Sequence, residues 1–263
     1  MAKYPIPGSQ HIENNTAKLD ISHIDNGYVI AHVYDSNPAK KFKIRQECGG
    51  KSQDYNGHPF HAEIYIPLVY GSGKYTISIW RNREGTKYDQ QLQVRQDVIL
   101  KDVLSPWLYP TAYSEYFPSS VCVREAALAC QGKTVDVDKL QAIASAVIDA
   151  LEYDRALAAE VSNVDSFFVP APDTALAKRK GICFEYASLT AAMCRSQDIP
   201  CKIAVGRACG GGGLHAWNEV YCTNGGNVRG VPINAACWSL LDLTWLDSGV
   251  RVAAGNYTVE YYG

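Results

Sequence analysis

Three residues in the second half of this chain have the types to act together as nucleophile, base and orienting acid. Of the six histidines, His11, His23, His32, His58 and His61 lie early, and only His215 lies in the C-terminal half. Imidazole chemistry there has one candidate, because histidine is the side chain whose ordinary pKa lies near neutral pH. His215 sits in Gly-Gly-Gly-Leu-His-Ala-Trp-Asn-Glu-Val-Tyr, which alternates as a strand after the glycines. His215, Trp217, Glu219 and Tyr221 then share one face, and Ala216, Asn218 and Val220 the other. Cys183 follows Lys178-Arg179-Lys180-Gly181-Ile182 and opens a stretch that reads as helix. A thiol there meets the positive end of the helix dipole and free backbone N–H groups, and the nearby cations push the same way, so the thiolate is favoured. Gly181 allows a sharp turn that exposes the sulfur. Cys194 falls on a similar face of the same helix but about 16 Å further along, too far to share a site. Asp242 lies in Trp238-Ser-Leu-Leu-Asp-Leu-Thr-Trp245. Read as a strand, this puts Trp238, Leu240, Asp242 and Thr244 on one face. A lone acid among leucines is costly to bury without a partner, and a histidine on a neighbouring strand would supply one while being held by it. Asp247 is the rival acid, but it precedes Ser-Gly and reads as a turn.

The elements that must hold these residues divide the chain in two. Residues 1–103 read as β structure, with candidate strands Lys18–Ile24, Tyr28–Tyr34, Lys41–Glu47, Phe60–Ile66, Tyr75–Trp80 and Gln90–Val94. They are short, alternate in polarity, and are separated by Asn-Gly, Pro, Gly-Gly and Gly-Ser-Gly signals, the pattern of an immunoglobulin-like β-sandwich. Segment 104–119 carries Pro106, Pro110 and Pro118 among aromatics and reads as an extended crossover that packs on something. From 120 to 263 the pattern changes. Ser120–Cys130 and Asp138–Glu152 read as helices, the second with Leu140, Ile143, Ala144, Val147, Ile148 and Leu151 on one stripe. Segment 162–180 reads as loop, with Pro170 and Pro172. Ile182–Gln197 reads as helix and stops before Pro200. Lys202–Gly206, Leu214–Tyr221 and Trp238–Leu243 read as strands. Helices first and strands later give an α+β domain.

Composition is that of a globular protein, with 47% apolar and 20% charged residues. A formal net charge of −2 gives no reason to expect nucleic acid or an anionic membrane as partner. The one basic cluster, Lys178–Lys180, reads as a solvated loop. No apolar run of about 18 residues is present, so no membrane-spanning helix is expected. The N-terminus has no apolar signal core; it reads as a native start or as what remains after a leader or lipid anchor is removed. Of nine cysteines, Cys48 stands alone and the rest lie at or beyond Cys122. No Cys-x-x-Cys pair marks zinc or thioredoxin-like chemistry. Cys122 and Cys130 are about 12 Å apart along a helix, too far for a disulfide. Most of these thiols read as small buried residues, with room for one or two disulfides.

Taken in order, Gly-Ile-Cys-Phe-Glu-Tyr-Ala, His-Ala-Trp-Asn-Glu-Val and Leu-Asp-Leu-Thr-Trp resemble the transglutaminase-like core, a relative of the papain-like thiol fold. Asp198-Ile199-Pro200 is similar to the turn after the family's cysteine helix, and Glu152-Tyr153-Asp154 to the Tyr-Asp closing a preceding helix. Leu243 stands where many relatives have proline. The resemblance covers roughly 120–247. It implies Cys183 as nucleophile, His215 as base and Asp242 as orienting acid, with Tyr153 a further candidate as oxyanion donor. A β-sandwich before such a core also resembles secreted bacterial members of the superfamily.

The expected chemistry is attack of Cys183 on an amide carbonyl to give a thioester, resolved by an amine or by water: cross-linking, deamidation or amide hydrolysis. A cysteine peptidase is the alternative within enzymes, and a dead transglutaminase-like scaffold that only binds is the alternative outside them. A protein or peptide is the expected substrate. No metal or cofactor is required, and no acid cluster suggests calcium. Trp217 and Trp245 read as aromatic core or as groove lining, and Gly210–Gly213 as a gate or a tolerant surface loop. The two-domain plan favours the cell envelope or exterior, and the many thiols a reducing, cytoplasmic space.

Overall fold

The computed structural model describes residues 3–34, 41–56, 63–162, 168–208, 213–251 and 253–263. The chain forms two compact units, one containing Tyr4–Ala112 and the other Tyr113–Ser166 and Pro170–Gly263.

The first unit is all β: β1 (His11–Glu13), β2 (Ala17–Asp20), β3 (Tyr28–Val33), β4 (Phe42–Cys48), β5 (Lys51–Asn56), β6 (Glu63–Pro67), β7 (Gly73–Glu84) and β8 (Lys87–Val98). They make two antiparallel four-stranded sheets, ordered β1-β2-β3-β6 and β5-β4-β7-β8. Alternation decides which side is buried: Tyr75, Ile77 and Ile79 of β7 are all but inaccessible, as are Ile44 of β4 and Tyr55 of β5. The polar exception is Gln46, wholly buried. Its amide donates to Tyr55 Oη and to the Pro67 carbonyl, and its Oε1 accepts from the Val69 N–H, tying one sheet to the other. The outer face of the first sheet is also covered, since Tyr28, Ile30 and Tyr65 pack against Tyr109 of the segment that follows β8. The strand β5 has no counterpart in the sequence expectations. Lys51-Ser-Gln-Asp-Tyr-Asn is too polar to stand out, but it lies at a sheet edge and buries only alternate residues. The strand expected at Phe60–Ile66 is described from Glu63 onward.

The second unit is α+β. Its elements are α1 (Val121–Ala129), α2 (Asp136–Ala150), β9 (Glu152–Tyr153), α3 (Arg155–Ser162), α4 (Pro172–Lys178), β10 (Lys180–Gly181), α5 (Cys183–Ser196), β11 (Cys201–Ala208), β12 (His215–Cys222), β13 (Gly226–Val228), β14 (Val231–Ile233), β15 (Cys237–Leu241), α6 (Leu243–Asp247) and β16 (Tyr257–Tyr262). Helix α5 is its spine, with every residue from Glu185 to Ser196 buried. Its small residues Ala187, Ser188, Ala191 and Ala192 let neighbours approach closely. The antiparallel sheet β15-β12-β11-β16 lies along it, pinned where Asn218 Nδ2 of β12 donates to the Ala187 carbonyl at 3.0 Å. At the far end Arg195, fully buried, donates to the carbonyls of Cys201 and Gly263.

Three expectations are corrected here. The stretch read as loop at 162–180 contains α4, because Pro172 is at the first helical turn, where its missing N–H costs nothing; its Asp173 carboxylate accepts the Val121 and Cys122 N–H groups and so caps α1. Asp242 and Thr244 do not continue a strand: β15 ends at Leu241 and α6 begins at Leu243. Among the described residues no disulfide forms, and Cys48, Cys122, Cys130, Cys183, Cys194, Cys201, Cys222 and Cys237 are free thiols. Cys209 and most of the Gly210–Gly213 loop lie outside the described residues. No helix among them is long and apolar enough to cross a membrane.

Candidate active site

Cys183 is the first residue of α5, and its position is set from behind. The short parallel pair β9–β10 clamps the approach, with the Glu152 N–H on the Arg179 carbonyl and the Asp154 N–H on the Gly181 carbonyl. Gly181 is needed there for close packing, not for a left-handed turn: a Cβ would come within 2.8 Å of Glu185 Cβ. The Glu185 side chain folds back so that Oε2 accepts the Ile182 N–H at 3.0 Å, standing in for the cap an isoleucine cannot give. Burial pushes the Glu185 carboxyl up. The Cys183 and Phe184 N–H groups, the first of the helix, have no protein acceptor among the described residues.

His215 opens β12 opposite Gly206 of β11. Gly206 is at a bulge where β16 comes so near that a Cβ would collide with the Thr258 carbonyl. His215 Nε2 donates to Asp242 Oδ2 at 2.6 Å, with the two side chains only 13% and 4% exposed. The other ring nitrogen, Nδ1, is not taken by Asp242, and the Cys183 side chain is near enough to the imidazole to favour its protonated form. Burial alone would lower the imidazole pKa. The hydrogen bond to Asp242, the nearby Cys183 side chain and the charges of both outweigh it and raise the pKa to about 9. Trp217 stacks beside the ring at 6.1 Å and Trp245 tilts against it at 5.5 Å.

Asp242 caps α6: its Oδ1 accepts the Trp245 N–H at 3.2 Å. Its Oδ2 accepts a second bond from Tyr257 Oη at 2.9 Å. Burial, then the Asp242 charge, push the Tyr257 phenol up. The rival Asp247 ends α6 and accepts from Tyr186 Oη at 2.7 Å. The structure thus brings Cys183, His215 and Asp242 together from α5, β12 and the turn after β15.

Sequence reasoning missed Tyr257, which a strand formed after the last recognised motif delivers to the carboxylate. It also missed Tyr261 on the same strand, whose phenol is pushed up to about 12 by burial, Glu260 and the nearby Cys183. Tyr153, on β9, is 43% exposed, and burial with a contribution from Cys183 raises its phenol. Trp217 is core at 1% exposed, and Trp245 lines a cavity. Among the described residues no group of His, Cys, Asp or Glu is arranged to hold a metal.

Residues 124–230 match the family model of the transglutaminase-like superfamily. Comparison with curated proteins found no match. Among solved structures the chain is similar to a candidate cysteine protease from Cytophaga hutchinsonii, with 16% identity, 90% of this chain and 79% of that one covered, and a TM-score of 0.45. It is also similar to a TGase (18% identity, 53% and 33% covered, TM-score 0.37) and to red sea bream transglutaminase (12% identity, 86% and 49% covered, TM-score 0.36). The chain spans about a third and about half the length of the latter two. Within the second unit, residues 124–230 are thus the part of the chain that matches the transglutaminase-like superfamily.

Proposed function

We propose that the second unit is a thiol enzyme of acyl transfer, with Cys183 as nucleophile, His215 as base and acid, and Asp242 as the residue that orients the imidazole. The observation that carries this reading is the placement of His215, held through Nε2 by Asp242 at 2.6 Å and close to the first side chain of α5. The carboxylate orients the ring and leaves its other nitrogen to take the proton of the thiol. Cys183 passes its proton to His215 and attacks an amide carbonyl. The carbonyl oxygen becomes an oxyanion, for which the free Cys183 N–H is one donor and the Tyr153 phenol a candidate second. His215 returns the proton to the departing amine, leaving a thioester. An amine or water then resolves it. With a glutamine donor the products are a cross-link or a deamidated side chain; with a backbone amide and water the same machinery is a peptidase.

The test is the pH dependence of Cys183 alkylation by iodoacetamide, read by mass spectrometry beside the other cysteines. Selective reaction well below pH ~8, lost in His215→Ala, is expected. If Cys183 reacts like an ordinary thiol, the site is dormant and a binding role on a dead scaffold replaces the enzyme. Ammonia release from glutamine peptides, as against new N-termini, separates transferase from peptidase.

A further inference from the structure

Strand β16 carries three tyrosines, and two of their phenols are engaged. Tyr257 Oη donates to Asp242, and Tyr262 Oη donates to Glu219 Oε1 at 3.0 Å. The third, Tyr261, has no hydrogen-bond partner among the described residues. Its ring is partly buried, but its oxygen is not sealed from solvent as the Trp217 and Trp245 indole nitrogens are. A phenol in that state has an O–H to give and a way for a ligand to reach it.

The sheet puts this O–H on the side of the reacting sulfur. Tyr261 lies opposite Val205 of β11, and Val205 opposite Ala216 of β12, so the three make one row on one face. The next row on that face holds Ile203 and Asn218, and Asn218 is bonded to the Ala187 carbonyl, about one helical turn past Cys183. The row after that begins at Cys201, whose carbonyl takes Arg195 Nε near the far end of α5. Rows on one face are about 7 Å apart, so the Tyr261 row falls beside the first turn of α5. The rings agree with this. Tyr113 lies 6.4 Å from the Tyr261 ring and 5.3 Å from that of Phe184, the residue after Cys183. Burial first, then Glu260 and Cys183, push the Tyr261 phenol up to about 12, so it keeps its proton through the neutral range. The sulfur is thus close enough for its charge to be felt, yet no hydrogen bond joins the two.

We propose that Tyr261 is a catalytic residue of the thiol site, whose O–H donates to the carbonyl oxygen of the bound acyl group and holds it as the oxyanion beside the Cys183 N–H. This rests on the reading of Cys183 as nucleophile, and it gives Tyr261 the part for which Tyr153 is the other candidate. As the sulfur attacks, the C–S bond forms and the carbonyl π pair moves onto oxygen. The two hydrogen bonds stabilise that charge with no proton leaving the phenol. When the pair returns, the C–N bond breaks and the amine departs with the proton held by His215. Tyr261 suits the part better than Tyr153, which is 43% exposed, because a hydrogen bond to an anion is stronger where water is excluded.

Two reagents separate this role from any other. A 4-nitrophenyl ester acylates Cys183 through an oxyanion, whereas iodoacetamide alkylates it at a saturated carbon and forms none. In the full chain, Tyr261→Phe keeps the ring against Tyr113 and should slow the nitrophenol burst by about 10²-fold. Alkylation of Cys183 in the same variant should keep its rate and its pH profile, which also shows that the site is folded. Tyr153→Phe should leave most of the burst rate in place. An unchanged burst in Tyr261→Phe overturns the proposal. So does an equal slowing of burst and alkylation, which would put Tyr261 to work on the thiolate or on packing, and so does a loss that falls on Tyr153→Phe instead. A wild-type chain that gives no burst and alkylates Cys183 as an ordinary thiol overturns the nucleophile reading and the part of Tyr261 with it. The two failures are distinct, because only that one is visible without a substitution.

Discussion

Each unit holds an aspartate that accepts three side-chain or backbone hydrogen bonds, and the two differ in what holds them. Asp54, in the β unit, takes Arg45 Nε at 2.6 Å, Arg45 Nη2 at 2.8 Å and Lys43 Nζ at 3.3 Å. Its side chain is 26% exposed. Burial works against its ionisation, but Arg45 and then Lys43 outweigh it and lower the pKa. Asp242 takes a histidine, a tyrosine and a peptide N–H, and is 4% exposed. Around Asp54 the donors are permanent cations, so the web is static and its charge is already balanced. Around Asp242 the one charge-bearing donor is a ring that can gain and lose a proton. The same carboxylate chemistry therefore gives a clasp of fixed charges in one unit and, in the other, a pairing whose charge depends on pH. What separates them is whether one of the partners is a histidine, whose proton here comes off at about pH 9.

Substitutions can break this contrast at several depths. The largest effect is expected from Cys183→Ala, which should abolish the nitrophenol burst, a loss of about 10³-fold or more, with far-UV circular dichroism unchanged. Next is Asp242→Asn. It should bring the His215 pKa down from about 9 toward its ordinary value and slow Cys183 acylation by about 10²-fold. NMR titration of the imidazole and burst kinetics read the two effects; a His215 pKa that stays put would mean the carboxylate is not what raises it.

The raised His215 pKa also has a consequence for stability. Because the folded value of about 9 lies above the unfolded 6.5, the protonated ring stabilises the fold fully below about pH 6.5. That contribution is lost as pH rises through about 9. It is worth roughly 3 kcal/mol. Urea midpoints at pH 6 and pH 10 should therefore differ more in the wild type than in His215→Gln. Equal differences would show that the imidazole is not held in this way.

Tyr257→Phe is gentler. It removes one of the bonds on Asp242 and should slow acylation about five- to tenfold while shifting the pH profile, which a purely structural tyrosine would not do. The smallest effect is expected from Asp54→Asn. It should cost under about 1 kcal/mol of stability and leave Cys183 alkylation as it was. If it altered alkylation, the two webs would not be independent.

Some elements were legible because one period runs through them. Helix α2 shows its buried stripe at helical spacing, and β7 alternates Tyr75, Ile77 and Ile79 against polar neighbours. Others were hidden by local ambiguity. Pro172 looks like a breaker until it is seen in the first turn of α4, and Lys51–Asn56 is too polar to announce itself as a strand. The reading of Asp242 as a strand residue failed by one position, since it is the cap that ends one element and starts the next.

Sequence by itself determined the candidates: a sole C-terminal histidine, a cysteine opening a helix after a glycine, and an acid among leucines. Residue type and local periodicity are enough for that, because both are properties of neighbours along the chain. Only the tertiary structure decided which acid meets the imidazole, since Asp242 and Asp247 are five residues apart and α6 turns one toward His215 and the other toward Tyr186. It alone supplied Tyr257, brought in on β16 by pairing with β11, and the proximity of Arg229 to Arg251 across a chain turn. Such contacts follow from sheet order and helix packing, which are set by the burial of the whole domain and leave no mark on the residues that happen to meet.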